Sequence, residues 1–198
     1  MDTRQPGVRA DSAQVQLRDP GPGMRTNTIG HPVERMLNAS ARDILDALEN
    51  GFRARADLKG KLAELFMSRY LDQLQRAGWV DRYEWFDADG VPDFKLYLTD
   101  SRILTLEVKN VRSGSGPLRV ETQKTRASRG DPMSRYYKVG QFDLLAACLY
   151  NSTGRWEYVF ARTSKLQPLE VDVRYLATMQ NLPQPLAAPW HSALVEAI

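Results

Sequence analysis

PDFKLYLTDSRILTLEVK, residues 92–109, reads as two β-strands joined by a tight turn. Alternation sends Phe94, Leu96 and Leu98 to one side of the first strand and Asp93, Lys95 and Tyr97 to the other. In the second, Leu104, Leu106 and Val108 share one face while Thr105, Glu107 and Lys109 share the opposite one. Pairing through a turn at Asp100-Ser101 puts both polar faces on the same side of the sheet, so that two carboxylates and an amine converge. Such a group suits hydrolysis of a phosphodiester. Carboxylate oxygens, water and a phosphate oxygen together match Mg²⁺. The ion lowers the pKa of a bound water, polarises the phosphoryl group and spreads developing negative charge, to which a lysine adds a second positive contact.

Outward from this hairpin, the strand pattern extends back to WVDRYEWF (79–86), separated from residue 92 by the turn DADG. Before it lie two helical patterns. Ser40 and Asp43 form an S-x-x-D start to ARDILDALEN, which Gly51 ends. Apolar residues at 58, 62, 65, 66, 70, 71 and 74 mark a helix over 57–77, stopped by Gly78. After the hairpin, 112–136 is loop-like and basic, Val139 to Tyr150 reads as a buried helix, and WEYVFAR (156–162) as a strand. From Lys165 onward, Pro168, Pro183, Pro185 and Pro189 predict irregular structure with a short helix around Trp190 to Glu196. The order is helix, three strands, helix, strand.

Residues 1–35, rich in Gly, Pro, Arg, Gln and Asp, lack either periodicity and read as a flexible arm ahead of one domain over 36–198. A chain of 198 residues with 42% hydrophobic residues and four tryptophans has the means to build one core. No apolar run approaches the ~20 residues that span a bilayer, so no membrane partner is expected. The opening MDTRQPGVRADSAQ has no apolar centre for a secretory signal, and Cys148, the only cysteine, cannot form an intrachain disulfide. These features predict a soluble cytoplasmic protein. Cys148, within LLAACLY, reads as a small buried hydrophobe, and His31 and His191 suggest no Cys/His pair. The net charge of +3 is modest, but residues 109–138 hold eight basic residues against two acidic ones, a concentration suited to a polyanion.

Pro92-Asp93 followed by Glu107-Val108-Lys109 resembles the PD-(D/E)xK signature of restriction and repair nucleases. The resemblance implies an α/β fold with a restriction-endonuclease-like core, a central mixed sheet flanked by helices in α-β-β-β-α-β order. It implies Asp93 and Glu107 as ligands of Mg²⁺ (Mn²⁺ as substitute), Val108 in the same metal set, and Lys109 positioning or activating the water. Glu64, in KGKLAELFMSRYL, stands where the preceding helix of many members supplies a further glutamate. The region after the E-x-K strand looks similar too, with Glu121, Gln123 and Lys124 placed beside the metal site. Arg112, Arg119, Gln123, Lys124, Arg126, Arg129, Arg135 and Lys138 are the expected nucleic-acid contacts, with Tyr136 and Tyr137 beside them.

With no G-x-x-x-x-G-K-[ST] motif, the chain fits a type II restriction endonuclease acting on double-stranded DNA as a homodimer. A repair or recombination nuclease is the next reading. Residues 40–86 also resemble a winged-helix DNA-binding regulator, with Ser68, Arg69 and Gln73 on its recognition helix. That module needs a break between its second and third helices, whereas 57–77 reads as continuous. A nuclease-like fold used only for assembly is the remaining class, against which the intact trio Asp93, Glu107 and Lys109 argues.

Overall fold

The computed structural model describes residues 30–88, 90–112, 114, 116–124 and 130–198. The described residues fall into two units divided between Asp46 and Ala47. In the first, α1 (Pro32–Leu37) is capped by His31, whose Nδ1 accepts from the Val33 amide at 3.3 Å while the Glu34 carboxylate accepts from the His31 amide at 2.6 Å. Ser40 and Asp43 open α2 (Ala41–Asn50) in the expected reciprocal way. The Asp43 amide donates to Ser40 Oγ at 3.2 Å, and the Ser40 amide to Asp43 Oδ2 at 3.1 Å. Most of the expected arm, residues 1–29, lies outside the described residues; the arm's last residues, from Pro32, are helical instead.

The second unit contains α3 (Phe52–Arg76), which starts five residues before the expected 57 and runs unbroken for 25 residues. Its buried stripe includes Ala63, Met67 and Leu71, four residues apart. Gly78, at φ 78°, ends it. The Trp79 amide returns to the Leu74 carbonyl at 3.0 Å and the Gly78 amide to Gln75 at 3.1 Å, the paired bonds of a left-handed helix stop.

The strands are β1 (Val80–Trp85), β2 (Phe94–Leu98), β3 (Ile103–Asn110), β4 (Arg119–Glu121) and β5 (Leu144–Cys148). After the short α4 (Tyr150–Thr153) come β6 (Tyr158–Arg162), β7 (Pro168–Leu169), β8 (Asp172–Leu176), β9 (Met179–Asn181), β10 (Trp190–His191) and finally α5 (Leu194–Ala197). Six strands form one mixed sheet in the order β1-β2-β3-β5-β6-β10, parallel only between β3 and β5. The fold is therefore mixed α/β around a central mixed sheet. β2 and β3 pair as an antiparallel hairpin as expected, Lys95 opposite Thr105, but the connection is one residue longer than the expected Asp100-Ser101 turn: it runs from Thr99 to Ser101, and Ser101 takes φ 70°. Two ribbons, β4-β9 and β7-β8, lie outside the main sheet.

Two expectations fail here. The stretch read as a buried helix over 139–150 contains instead β5, and the helix after it has four residues, so the α-β-β-β-α-β order does not hold. The physical reason is that β5 is sandwiched. Leu144, Ala146 and Cys148 belong to the core that includes Ala63, Met67 and Leu71 of α3, while Leu145 and Ala147 belong to the core on the other face, with Val120, Phe142 and Leu176. A strand buried on both faces reads as a continuous apolar run, which periodicity does not separate from a helix. The tail is not irregular either: it supplies β7 to β10, and α5 starts only at Leu194 because Trp190 and His191 pair with β6. Cys148 is fully buried, and burial pushes its thiol pKa up.

Because both faces of β5 are buried, Leu144→Ala and Leu145→Ala are each expected to cost about 2–5 kcal/mol. Urea denaturation of the two variants checks this. A neutral result at either position would remove that side chain from the core.

Candidate active site

Asp93, Glu107 and Lys109 meet in a cleft of about 980 Å³, which Glu64 and Lys61 of α3 also line. Each is delivered by the local fold. Asp93 immediately precedes β2, and its Oδ2 accepts the Val108 amide at 2.7 Å, which ties the start of one strand to the end of the next. Glu107 and Lys109 lie two residues apart on β3 and so share a face. The Lys109 ammonium sits 2.7 Å from Glu107 Oε1, and the Tyr137 hydroxyl donates to the same oxygen at 2.6 Å. Glu64 Oε2 accepts from Lys61 Nζ at 3.0 Å and from the indole N–H of Trp85 at 3.0 Å. Lys61 also reaches Asp87 Oδ1 at 2.7 Å.

The charges are crowded and mostly buried. Glu64 is 9% exposed and Glu107 5%. Burial, followed by the negative charge of Glu107, pushes the Asp93 carboxyl up to about 7; Glu64 adds to this, while the Val108 amide and Lys109 oppose it. Burial works to lower the Lys109 pKa, but Glu107 and then Tyr137 outweigh it, so its ammonium is held more firmly than usual. Lys61 behaves alike, burial opposing and Asp87 and Glu64 prevailing. Burial and the Glu107 charge push the Tyr137 hydroxyl well above the ordinary phenol value, which keeps it a donor.

Among the described residues no three His, Cys, Asp or Glu side chains stand together as a ready metal cage. Mg²⁺ does not require one: it is commonly held by one or two carboxylates, with water and substrate phosphate completing its shell. The donor chemistry here fits that mode. Asp93 and Glu107 supply two hard oxygens, and a divalent cation would offset the burial and the Glu107 charge that together raise the Asp93 pKa. Val108, expected in the metal set, is buried, and its amide serves Asp93.

The expected nucleic-acid contacts are spread out. Lys124 lines the cleft. Arg112 follows β3 and is exposed, its amide donating to the Arg119 carbonyl at 2.8 Å; Arg119, also exposed, lies on β4 opposite Asn181. Gln123 donates to Glu121, a hydrogen bond within the ribbon region. Arg135 Nε approaches the Lys124 carbonyl at 3.4 Å, and Lys138 is exposed, bridging to Tyr175 of β8. Arg126 and Arg129 lie outside the described residues. Lys61, Trp85 and Asp87 were not anticipated at the site. Lys61 alone had a local signal, one helical turn before Glu64. Tyr137, expected to touch phosphates or bases, is instead buried against Glu107.

No protein-family model and no curated protein matches this chain. Among solved structures, the bacterial homing endonuclease I-Ssp6803I aligns with a TM-score of 0.43 at 18% identity, over 64% of this chain and 77% of that one. No helix among the described residues is long and apolar enough to cross a membrane.

Proposed function

We propose that the chain is a metal-dependent endonuclease of the PD-(D/E)xK type that hydrolyses phosphodiester bonds of double-stranded DNA. The observation that carries this reading is the convergence of Asp93, Glu107 and Lys109 from adjoining strands into one cleft with Glu64. Asp93 and Glu107 would hold Mg²⁺, with Mn²⁺ as a substitute. When bound, the ion supplies Lewis acidity and a more acidic water. Lys109 contributes fixed positive charge beside the scissile phosphate, where charge accumulates in the transition state. Glu64, held by Lys61 and Trp85, sets the negative rim that orients water or a second cation. Lys124, within the cleft, meets a phosphate next to the scissile one. Arg112, Arg119, Arg135 and Lys138, on or beside the ribbons, extend the contact along the duplex.

A role as a type II restriction endonuclease in defence against foreign DNA is the specific form of this proposal. A homodimer would bring one such cleft to each strand of the duplex.

Incubating the full chain with plasmid and phage DNA tests the reading. Cleavage is expected with Mg²⁺ or Mn²⁺ and is expected to vanish with EDTA. Cleavage that persists in EDTA, or DNA left intact in both metals, would overturn it.

A further inference from the structure

We infer that Tyr137 is a positioning residue for Glu107: it holds one carboxylate oxygen so that the other is presented to a divalent metal. This rests on the proposed metal-dependent reading. Tyr137 is 6% exposed, and its hydroxyl donates to Glu107 Oε1 at 2.6 Å. Lys109 approaches the same oxygen at 2.7 Å, so neither donor claims Oε2. Lysine is a mobile point charge, whereas the phenol sits on a ring with few degrees of freedom.

That ring is fixed on several sides. Phe142 meets it edge-on, centroids 5.1 Å apart and planes at 86°. The ammonium groups of Lys109 and Lys124 lie 5.5 and 5.9 Å from its centroid. Its main chain is tied down as well: the Leu176 amide donates to the Tyr137 carbonyl at 2.8 Å, and neighbouring Tyr136 and Lys138 bridge to Gln123 and Tyr175. A segment 30 residues further along the chain thus clamps the orientation of a β3 carboxylate. Partners that orient a metal ligand commonly change metal affinity by about 10–100-fold when removed.

Tyr137→Phe keeps the ring and its packing and removes the hydroxyl. Its Kd for Mn²⁺, read from free Mn²⁺ by electron paramagnetic resonance in the absence of DNA, is expected to rise by about 10–100-fold. The metal concentration for half-maximal cleavage should rise in parallel, with the rate at saturating metal staying near that of the natural chain. Val159→Ala, in the same core cluster, is the packing control. It should lower thermal stability and leave the Mn²⁺ Kd unchanged. Unaltered Mn²⁺ affinity in Tyr137→Phe, or equal weakening in Val159→Ala, overturns the inference. Asp93→Asn separates this from the underlying reading. If Mn²⁺ binds the natural chain and the Asp93 variant alike, or binds neither, the metal-site reading itself fails and the inference with it.

Discussion

Lys109→Ala is expected to slow single-turnover DNA cleavage by about 10²–10³-fold at saturating metal, the usual cost of removing one preorganised electrostatic contact to the reacting group. Metal affinity should not fall with it. Lys109 sits 2.7 Å from Glu107 Oε1, so in the metal-free protein its ammonium neutralises the carboxylate that Mg²⁺ would engage. Removing that cation removes a competitor, and the Tyr137 hydroxyl still holds Glu107 in place. The variant should therefore bind Mn²⁺ at least as tightly as the natural chain while cutting far more slowly. Loss of a cation beside the buried Glu107 should also lower stability, which a urea titration would register. Cleavage within tenfold of the natural rate would remove Lys109 from the chemistry. Weakened metal binding would make its role structural.

The strand hairpin could be read from sequence because everything that specifies it is local. Period-two alternation pairs like face with like face, and a three-residue connection, Thr99 to Ser101, with Ser101 at φ 70°, sets Lys95 against Thr105. The start of α2 was equally legible, since Ser40 and Asp43 bond each other across one turn. β5 was not. The core with α3 covers one of its faces and the core with Val120, Phe142 and Leu176 the other, and nothing within LLAAC records that β3 pairs with it in parallel from a distant segment. The short ribbons were hidden for another reason: β4, β7 and β9 have two or three residues each, too few to show alternation.

The site divides in the same way. The shared face of Glu107 and Lys109 and the nearness of Asp93 follow from strand geometry, whereas Glu64, on α3, was named through the family resemblance. The Tyr137 contact depends on how the chain returns from the basic segment, which charge counting does not reveal. Positive charge marked the segment as a whole; of its residues after Lys109, among those described, Lys124 is the basic one that lines the cleft.

Asp93→Asn is expected to abolish metal-dependent cleavage and at the same time stabilise the metal-free protein at neutral to alkaline pH. The folded-state pKa of Asp93 is pushed up to about 7 from 3.8, by burial first and then by Glu107. Between these values the folded chain binds a proton that the unfolded chain has lost, so this group makes stability decline as pH rises from about 4 to about 7. Above that range the charged carboxylate carries a constant penalty, on the order of 2–4 kcal/mol. Asparagine has no charge to bury, and its carbonyl oxygen can still accept the Val108 amide that Asp93 now receives at 2.7 Å. Thermal unfolding should therefore give a higher Tm for the variant at pH 8, with the gap closing near pH 4. Mg²⁺ should raise the Tm of the natural chain, because binding to the folded state adds its free energy, and leave that of Asp93→Asn unmoved. A variant less stable than the natural chain at pH 8 would mean that Asp93 is a structural acceptor whose charge the fold already compensates. An equal Mg²⁺ response in both proteins would place the ion elsewhere. The expected pairing, greater stability with lost activity, is what a carboxylate held at a cost for metal chemistry should give.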